Sequence, residues 1–197
     1  MKVVPPTADG IRTAVEALRA GEIIAYPTET LYGLGVDPRN DKALNRLFRG
    51  KRRSEDKPVL LIIESVAQLD GVAAISARAR RFIEYFWPGP LSLLLPSKEG
   101  VSSYLLGANG KICVRCPSCE TARAICREFG APITSTSANV AGSPPARGIR
   151  DLDLPDIAVA IDGGELPETP PSTIFDPDAG RVLRKGVIPE RMLTMLP

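Results

Sequence analysis

The chain has 197 residues, of which 44% are hydrophobic and 24% charged, the range of a globular chain and not of a disordered one. It contains no histidine. That excludes a Ser-His-Asp triad, a Cys-His pair, a His-ligated metal and an imidazole base, so any chemistry must use Lys, Arg, carboxylates, hydroxyls, amides or thiols. The longest apolar runs, Val59 to Ile63 and Ile157 to Ile161, fall far short of the roughly 20 residues of a membrane span. Met1 to Pro6 lacks the charged-then-apolar order of a signal peptide. The expectation is a soluble, cytoplasmic protein forming a single domain over residues 1–197.

In chain order, Ile11, Ala14, Val15 and Leu18 share one face and predict a helix over 8–20 with Gly21 as its stop. Glu22 to Tyr26 predicts a short strand ending at Pro27. Ala43, Leu44, Leu47 and Phe48 predict a helix over 41–49 closed by Gly50. Val59 to Ile63 has the branched, unbroken pattern of a buried strand. Ser76 is placed to cap a helix running through Phe86. Leu91 to Leu95 follows as a strand after the Trp87-Pro-Gly-Pro90 turn. The second half continues with a strand over Ile112 to Cys116 and a helix over Ser118 to Phe129 stopped by Gly130. Strands follow at Ile133 to Thr136 and Ile157 to Ile161. Ser172 to Asp176 and Arg181 to Leu183 flank the hairpin loop Pro177-Asp-Ala-Gly180, and a short final helix spans Pro189 to Leu196. Gly142 to Pro145 and Pro167 to Pro171 read as loops and not as a domain break. Alternating helices and strands closed by a hairpin predict an α/β fold with a mixed sheet.

The formal net charge of +2 says little about partners, but its distribution says more. Between Arg39 and Lys57 lie eight basic residues against three acidic ones. Such an excess is either an anion site or a solvated helix face. Cysteines at 113, 116, 119 and 126 have a spacing that invites a metal or iron–sulfur reading. However, Cys113 falls within a strand, and Cys119 and Cys126 fall seven residues apart on one face of the helix. Buried, reduced thiols and no protein-bound structural metal are therefore expected.

Two nucleotide signatures are absent. No G-x-x-x-x-G-K-[ST] occurs, and Gly33-Leu-Gly35 runs on into Val36-Asp-Pro38, which breaks the dinucleotide fingerprint. A bound phosphate would have to be held by cations and hydroxyls. Three runs supply them. Pro27-Thr-Glu-Thr-Leu-Tyr-Gly-Leu-Gly35 is rich in hydroxyls and glycine and reads as a loop at a sheet end. Lys51-Arg-Arg53 pairs a point charge with a bidentate fork. Ser135-Thr-Ser-Ala-Asn139 can turn Ser137 and Asn139 the same way if extended.

With WPGPLS (87–92), CVRCP (113–117), IDGG (161–164), PSTIFD (171–176) and VLRKG (182–186), these runs make eight ordered blocks. In them the chain resembles the YrdC-like family, whose principal members are threonylcarbamoyl-AMP synthases. The resemblance implies a twisted sheet, mixed parallel and antiparallel, flanked by helices around a positively charged concave cavity. It also implies condensation of L-threonine, bicarbonate or CO2, and ATP into L-threonylcarbamoyl-AMP and pyrophosphate, for the t6A37 modification of tRNA. By position, Lys51, Arg53, Ser137 and Asn139 match the residues that contact the nucleotide phosphates and carry the reaction, and Arg184 matches a further nucleotide contact. Thr28, Arg115, Ser135 and Ser172 match the threonine pocket. Mg²⁺ is implied with ATP, and downstream threonylcarbamoyl-transfer proteins are implied as partners; no membrane partner is. The chain departs from the family pattern at Ser54, Ile62, Lys111 and Pro145, so no nucleotide contact is assigned at 111 or 145. The rival reading is a module that binds double-stranded RNA or tRNA through the basic concavity without this chemistry.

Overall fold

In the computed structural model, residues 1–54, 57–107 and 109–195 are described. Glu55 and Asp56, two of the three carboxylates in the basic stretch, lie outside them, as does Leu196, the expected end of the last helix. The helix starts follow from capping side chains. Thr7 accepts from Gly10 N at the start of α1 (Ala8–Arg19), Asn40 from Ala43 N at α2 (Asp41–Lys51), and Ser76 from Ala79 N at α3 (Ala77–Phe86). Helix α4 (Glu120–Phe129) ends on Gly130 at φ 79°, the left-handed stop the sequence predicts. Cys119 is the residue before α4, not part of it as the periodicity suggests. A fifth helix, α5 (Glu190–Thr194), lies near the C-terminus. No described helix is long and apolar enough to cross a membrane.

The strands are β1 (Lys2–Val4), β2 (Ile23–Pro27), β3 (Tyr32–Gly35), β4 (Leu60–Ile62), β5 (Leu91–Pro96), β6 (Lys111–Arg115), β7 (Ile133–Ser137), β8 (Ile157–Ile161), β9 (Thr173–Asp176) and β10 (Arg181–Arg184). They form one sheet in the order β1-β8-β2-β3-β7-β4-β6-β5-β9-β10. Pairs β1–β8, β2–β8, β4–β6 and β5–β9 are parallel, and the rest are antiparallel. The sheet is mixed, as expected, and β9–β10 is the expected hairpin.

Two expectations fail locally. Half of the 27–35 run is strand β3, not loop, and it pairs with β2 and β7. Its glycines are there for close approach: a Cβ on Gly35 would stand 2.9 Å from both the Tyr26 ring and Thr134 O. Helix α2 does not stop at Gly50 but continues to Lys51. The turn to left-handed backbone comes at Arg52, φ 51°. The last turn is held by Arg53 N bonding back to Phe48 O and by Ala141 N donating to Lys51 O.

One face of the sheet packs on α2 and α3, through Leu44, Leu47, Phe48, Phe82 and Phe86. The other packs on α1 and α4 through Val15, Leu18, Ile125 and Phe129, together with Ile24, Tyr26 and Ile133 from the strands. The latter helices cover only part of their face. Toward β6, β5 and β9 the face is open and carries Cys113, Arg115, Leu94 and Ile174 into a cavity. Period-two alternation does this: Ile112, Val114 and Cys116 enter the core below β6, and Cys113 and Arg115 turn to the opposite side. The segment after β10 folds back so tightly that a Cβ on Gly186 would run into Pro171 O and lie 2.6 Å from Ser172 C and Thr173 N. Gly186→Ala is expected to lower unfolding free energy by about 1–3 kcal/mol in urea titrations, because backbone cannot yield as a side-chain tip can. An unchanged midpoint would contradict this packing.

Candidate functional site

The cavity has a volume of about 740 Å³ and is lined from β3 to β7, β9, β10 and the loops after β2, α2, β7 and β8. Eight of the nine residues singled out from sequence line it: Thr28, Arg53, Arg115, Ser135, Ser137, Asn139, Ser172 and Arg184. Its lining cations are Arg53, Lys57, Arg115, Arg147 and Arg184, and no Asp or Glu is among the described lining residues. The wall therefore favours anions, and its hydroxyls and amides can orient them.

Lys51 is the exception. It is 2% exposed and stands behind the wall, with Nζ donating to Ser137 O, to Asn139 O at 2.6 Å and to Asn139 Oδ1 at 3.5 Å. The left-handed Arg52 separates it from Arg53, which faces the cavity and donates to Lys57 O at 2.8 Å and Pro58 O at 3.0 Å. Burial, and then the nearby Arg53 charge, lower the Lys51 ammonium to about 8. Ser137 Oγ donates to Asn139 Oδ1 at 2.5 Å, so the two side chains do meet, but across a bend in which Asn139 N bonds Ser137 O at 3.0 Å and not along the extended backbone the sequence predicts. Asn139 Nδ2 bonds Ser143 O at 2.5 Å and fixes the amide.

On the opposite wall, Arg115 is 5% exposed. Its Nε donates to Gly89 O at 3.1 Å and its Nη1 to Thr30 Oγ1 at 3.2 Å. Ser172 Oγ lies 2.8 Å from Ser92 Oγ and accepts from Arg184 Nη2 at 2.9 Å. Thr28 lines the cavity, but its hydroxyl is engaged in its own turn. It donates to Leu31 O at 2.7 Å and accepts from Thr30 N and Leu31 N.

Sequence reasoning missed Thr30, Thr169 and Arg147 as lining residues. Arg147 bonds Pro167 O at 2.5 Å and ties two loops of the rim together. Pro145 lines the cavity, whereas Lys111 pairs with Asp176 at 2.7 Å outside it. The basic stretch does not form one patch. Arg39 pairs with Asp37 and lies over the Phe129 ring, Arg46 pairs with Glu22, Lys51 points inward, and among the described residues of this stretch only Arg53 and Lys57 reach the cavity. The cysteines diverge as well. Cys113 faces the cavity, Cys116 the core beneath α2 and α3, and Cys126 the core beneath α1 and α4. Burial raises all four thiols, Cys113 to about 12 and Cys116 to about 11, and so keeps them protonated and inert.

The profile of the Sua5/YciO/YrdC family, described as "Telomere recombination", matches residues 16–186. The chain belongs to this family. Among relatives in the Sua5/YciO/YrdC family, it is 41% identical to a threonylcarbamoyl-AMP synthase of Methylococcus capsulatus over 180 residues, covering 88% of this chain and 96% of that one. It is 37% identical to the Aliivibrio fischeri protein of the same name, covering 89% and 98%. Its fold matches the crystal structure of P. abyssi Sua5 complexed with L-threonine, with a TM-score of 0.88 and 34% identity, over 94% of this chain and 56% of that one. It also matches E. coli YciO, with a TM-score of 0.83 and 28% identity, over 94% and 95%. The chain thus spans a little over half of the P. abyssi chain and nearly all of the M. capsulatus and A. fischeri proteins.

Proposed function

We propose that this chain is a threonylcarbamoyl-AMP synthase, which condenses L-threonine, bicarbonate or CO2, and MgATP into L-threonylcarbamoyl-AMP and pyrophosphate. The observation that carries the reading is the cavity lining. It gathers eight family-matched residues, five cations and no carboxylate among its described lining residues. The synthase names and high coverage of the relatives support the same reading. Threonine's amine captures CO2 as a carbamate, and the carbamate oxygen attacks the α-phosphorus as pyrophosphate leaves. Such a transfer needs positioning and charge neutralisation more than a strong base, which suits a site built without histidine.

Arg53 and Arg184 would neutralise the phosphates, and Ser137 and Asn139 would orient them. Lys51 would add its charge from behind the Ser137–Asn139 turn, moving forward only if its carbonyl bonds are released. Arg115 would take the threonine carboxylate, with Ser135 and Ser172 beside the side chain. Mg²⁺ would arrive with the nucleotide, since the described lining residues offer it no carboxylate. The product would feed the t6A37 modification of tRNA through separate transfer proteins. Pyrophosphate release from ATP and bicarbonate, with and without threonine, tests the reading. Release that does not depend on threonine would overturn it, and RNA binding without release would favour the binding-module alternative.

The position of Lys51 gives this reading a pH signature. Its folded pKa, near 8, lies below that of a free lysine, so its charge is present below about pH 8 and lost as pH rises through that value. Phosphates in the cavity restore the charged form. ATP binding at pH 8.5 is expected to take up roughly half a proton, and affinity is expected to weaken between pH 7 and 9. Calorimetry in buffers of different ionisation enthalpy measures the uptake. No uptake at pH 8.5 in the wild-type chain, or equal uptake in Lys51→Met, would remove Lys51 from phosphate binding.

A further inference from the structure

Within the proposed threonine pocket, the least explained contact lies behind Arg115. Arg115 Nη2 is 2.7 Å from Glu29 Oε1, yet Nη2 has no hydrogen-bond partner, so the contact is an ion pair out of line with the N–H bonds. Glu29 Oε2 is likewise buried without a partner. Glu29 Oε1 accepts from Ser118 N at 2.8 Å, just before α4, which anchors the carboxylate at the end of β6. Glu29 is not among the lining residues of the cavity. Burial works against its charge, but the Arg115 charge and the Ser118 N–H outweigh this and hold the carboxyl below its usual range, so it is ionised near neutral pH.

Three contacts therefore fix the guanidinium: Gly89 O on Nε, Thr30 Oγ1 on Nη1, and Glu29 against Nη2. Two of the three come from neighbouring residues of one turn, which the Thr28 hydroxyl closes. A guanidinium that is 5% exposed would be strongly disfavoured without a counter-charge, and Glu29 supplies it. Nη2 is itself buried against Glu29, whereas Arg115 as a residue lines the cavity, so the carboxylate fixes the guanidinium from behind. We propose that Glu29 is a positioning residue for threonine recognition: it balances the charge of the buried Arg115 and holds its guanidinium in place toward the amino acid's carboxylate, without touching the substrate itself. This assignment rests on the proposed function and adds to it a residue behind the wall.

Threonine binding and steady-state kinetics of Glu29→Gln and Glu29→Asp test it. The glutamine variant keeps the shape and the Ser118 acceptor but loses the charge. It is expected to weaken threonine by roughly 10- to 100-fold in KM and in calorimetric Kd, the range for one charge-assisted contact. kcat at saturating threonine and KM for ATP are expected to stay within about twofold. The aspartate variant, charged but shorter, is expected to recover part of the loss. A purely structural role would instead move both substrates together and follow the melting temperature, and that pattern overturns the proposal, as does a glutamine variant that binds threonine like wild type. A wild-type chain that binds no threonine at all would overturn the proposed function and this assignment with it, so the two failures are told apart by the wild-type titration.

Discussion

Valine is expected to be rejected about 10⁴-fold relative to threonine in kcat/KM, whereas serine is expected to lose only about 10- to 200-fold. The asymmetry follows from what surrounds the side chain. A missing methyl leaves an unfilled apolar contact, worth little. A methyl in place of the hydroxyl leaves buried polar atoms without partners, which is the costlier error. Because the Thr28 hydroxyl is engaged within its own turn, we propose that hydroxyl recognition would fall to Ser135, 8% exposed on β7, and to Ser172, whose Oγ lies between Ser92 and Arg184. Competition between the three amino acids for threonylcarbamoyl-AMP formation measures the order. Valine ahead of serine would mean that the pocket reads shape and not the hydroxyl.

Arg53→Ala is expected to lower turnover by about 10²- to 10³-fold, comparable with loss of one donor to a developing charge, with a small change in stability. Lys51→Ala is expected to behave differently, although it lies only two residues away. It strips the donor from the carbonyls of Ser137 and Asn139, so it should cost about 1–3 kcal/mol of fold stability and roughly 2–12 °C in Tm, alongside activity. Parallel melting curves and pyrophosphate assays separate the two. Equal stability in both variants would contradict the buried position of Lys51, and near wild-type turnover in Arg53→Ala would remove it from the phosphate site.

The sequence made visible what is decided locally. The caps at Ser76 and Gly130 act within one turn, so α3 and the end of α4 could be read residue by residue. The hairpin at Pro177 to Gly180 was legible for the same reason. Gly33 and Gly35 misled because glycine reads as a turn, whereas here it admits the Tyr26 ring and the neighbouring strand. Gly50 misled because the helix is held open-ended by contacts from residues 139 and 141, far along the chain. At the cavity, the blocks named eight lining residues but not the contacts that hold them. Thr28 and Lys51 bond backbone, Thr30 shares the turn of Thr28, and Thr169 and Arg147 enter because distant loops converge on the cavity. Nothing local could pair residues 29 and 115.

The strand order has a consequence for how the chain becomes competent. β7 sits between β3 and β4, β8 between β1 and β2, and β9 beside β5. No wall of the cavity is complete until segments from Thr28 to Arg184 have come together. Such pairings between remote segments form late and slowly. Ligand capture then marks the end of folding, not a step along it. Chains still emerging from synthesis would be blind to substrate until β9 and β10 have docked. Once docked, a bound nucleotide or amino acid would hold strands from β3 to β10 together and stabilise the folded chain against unfolding.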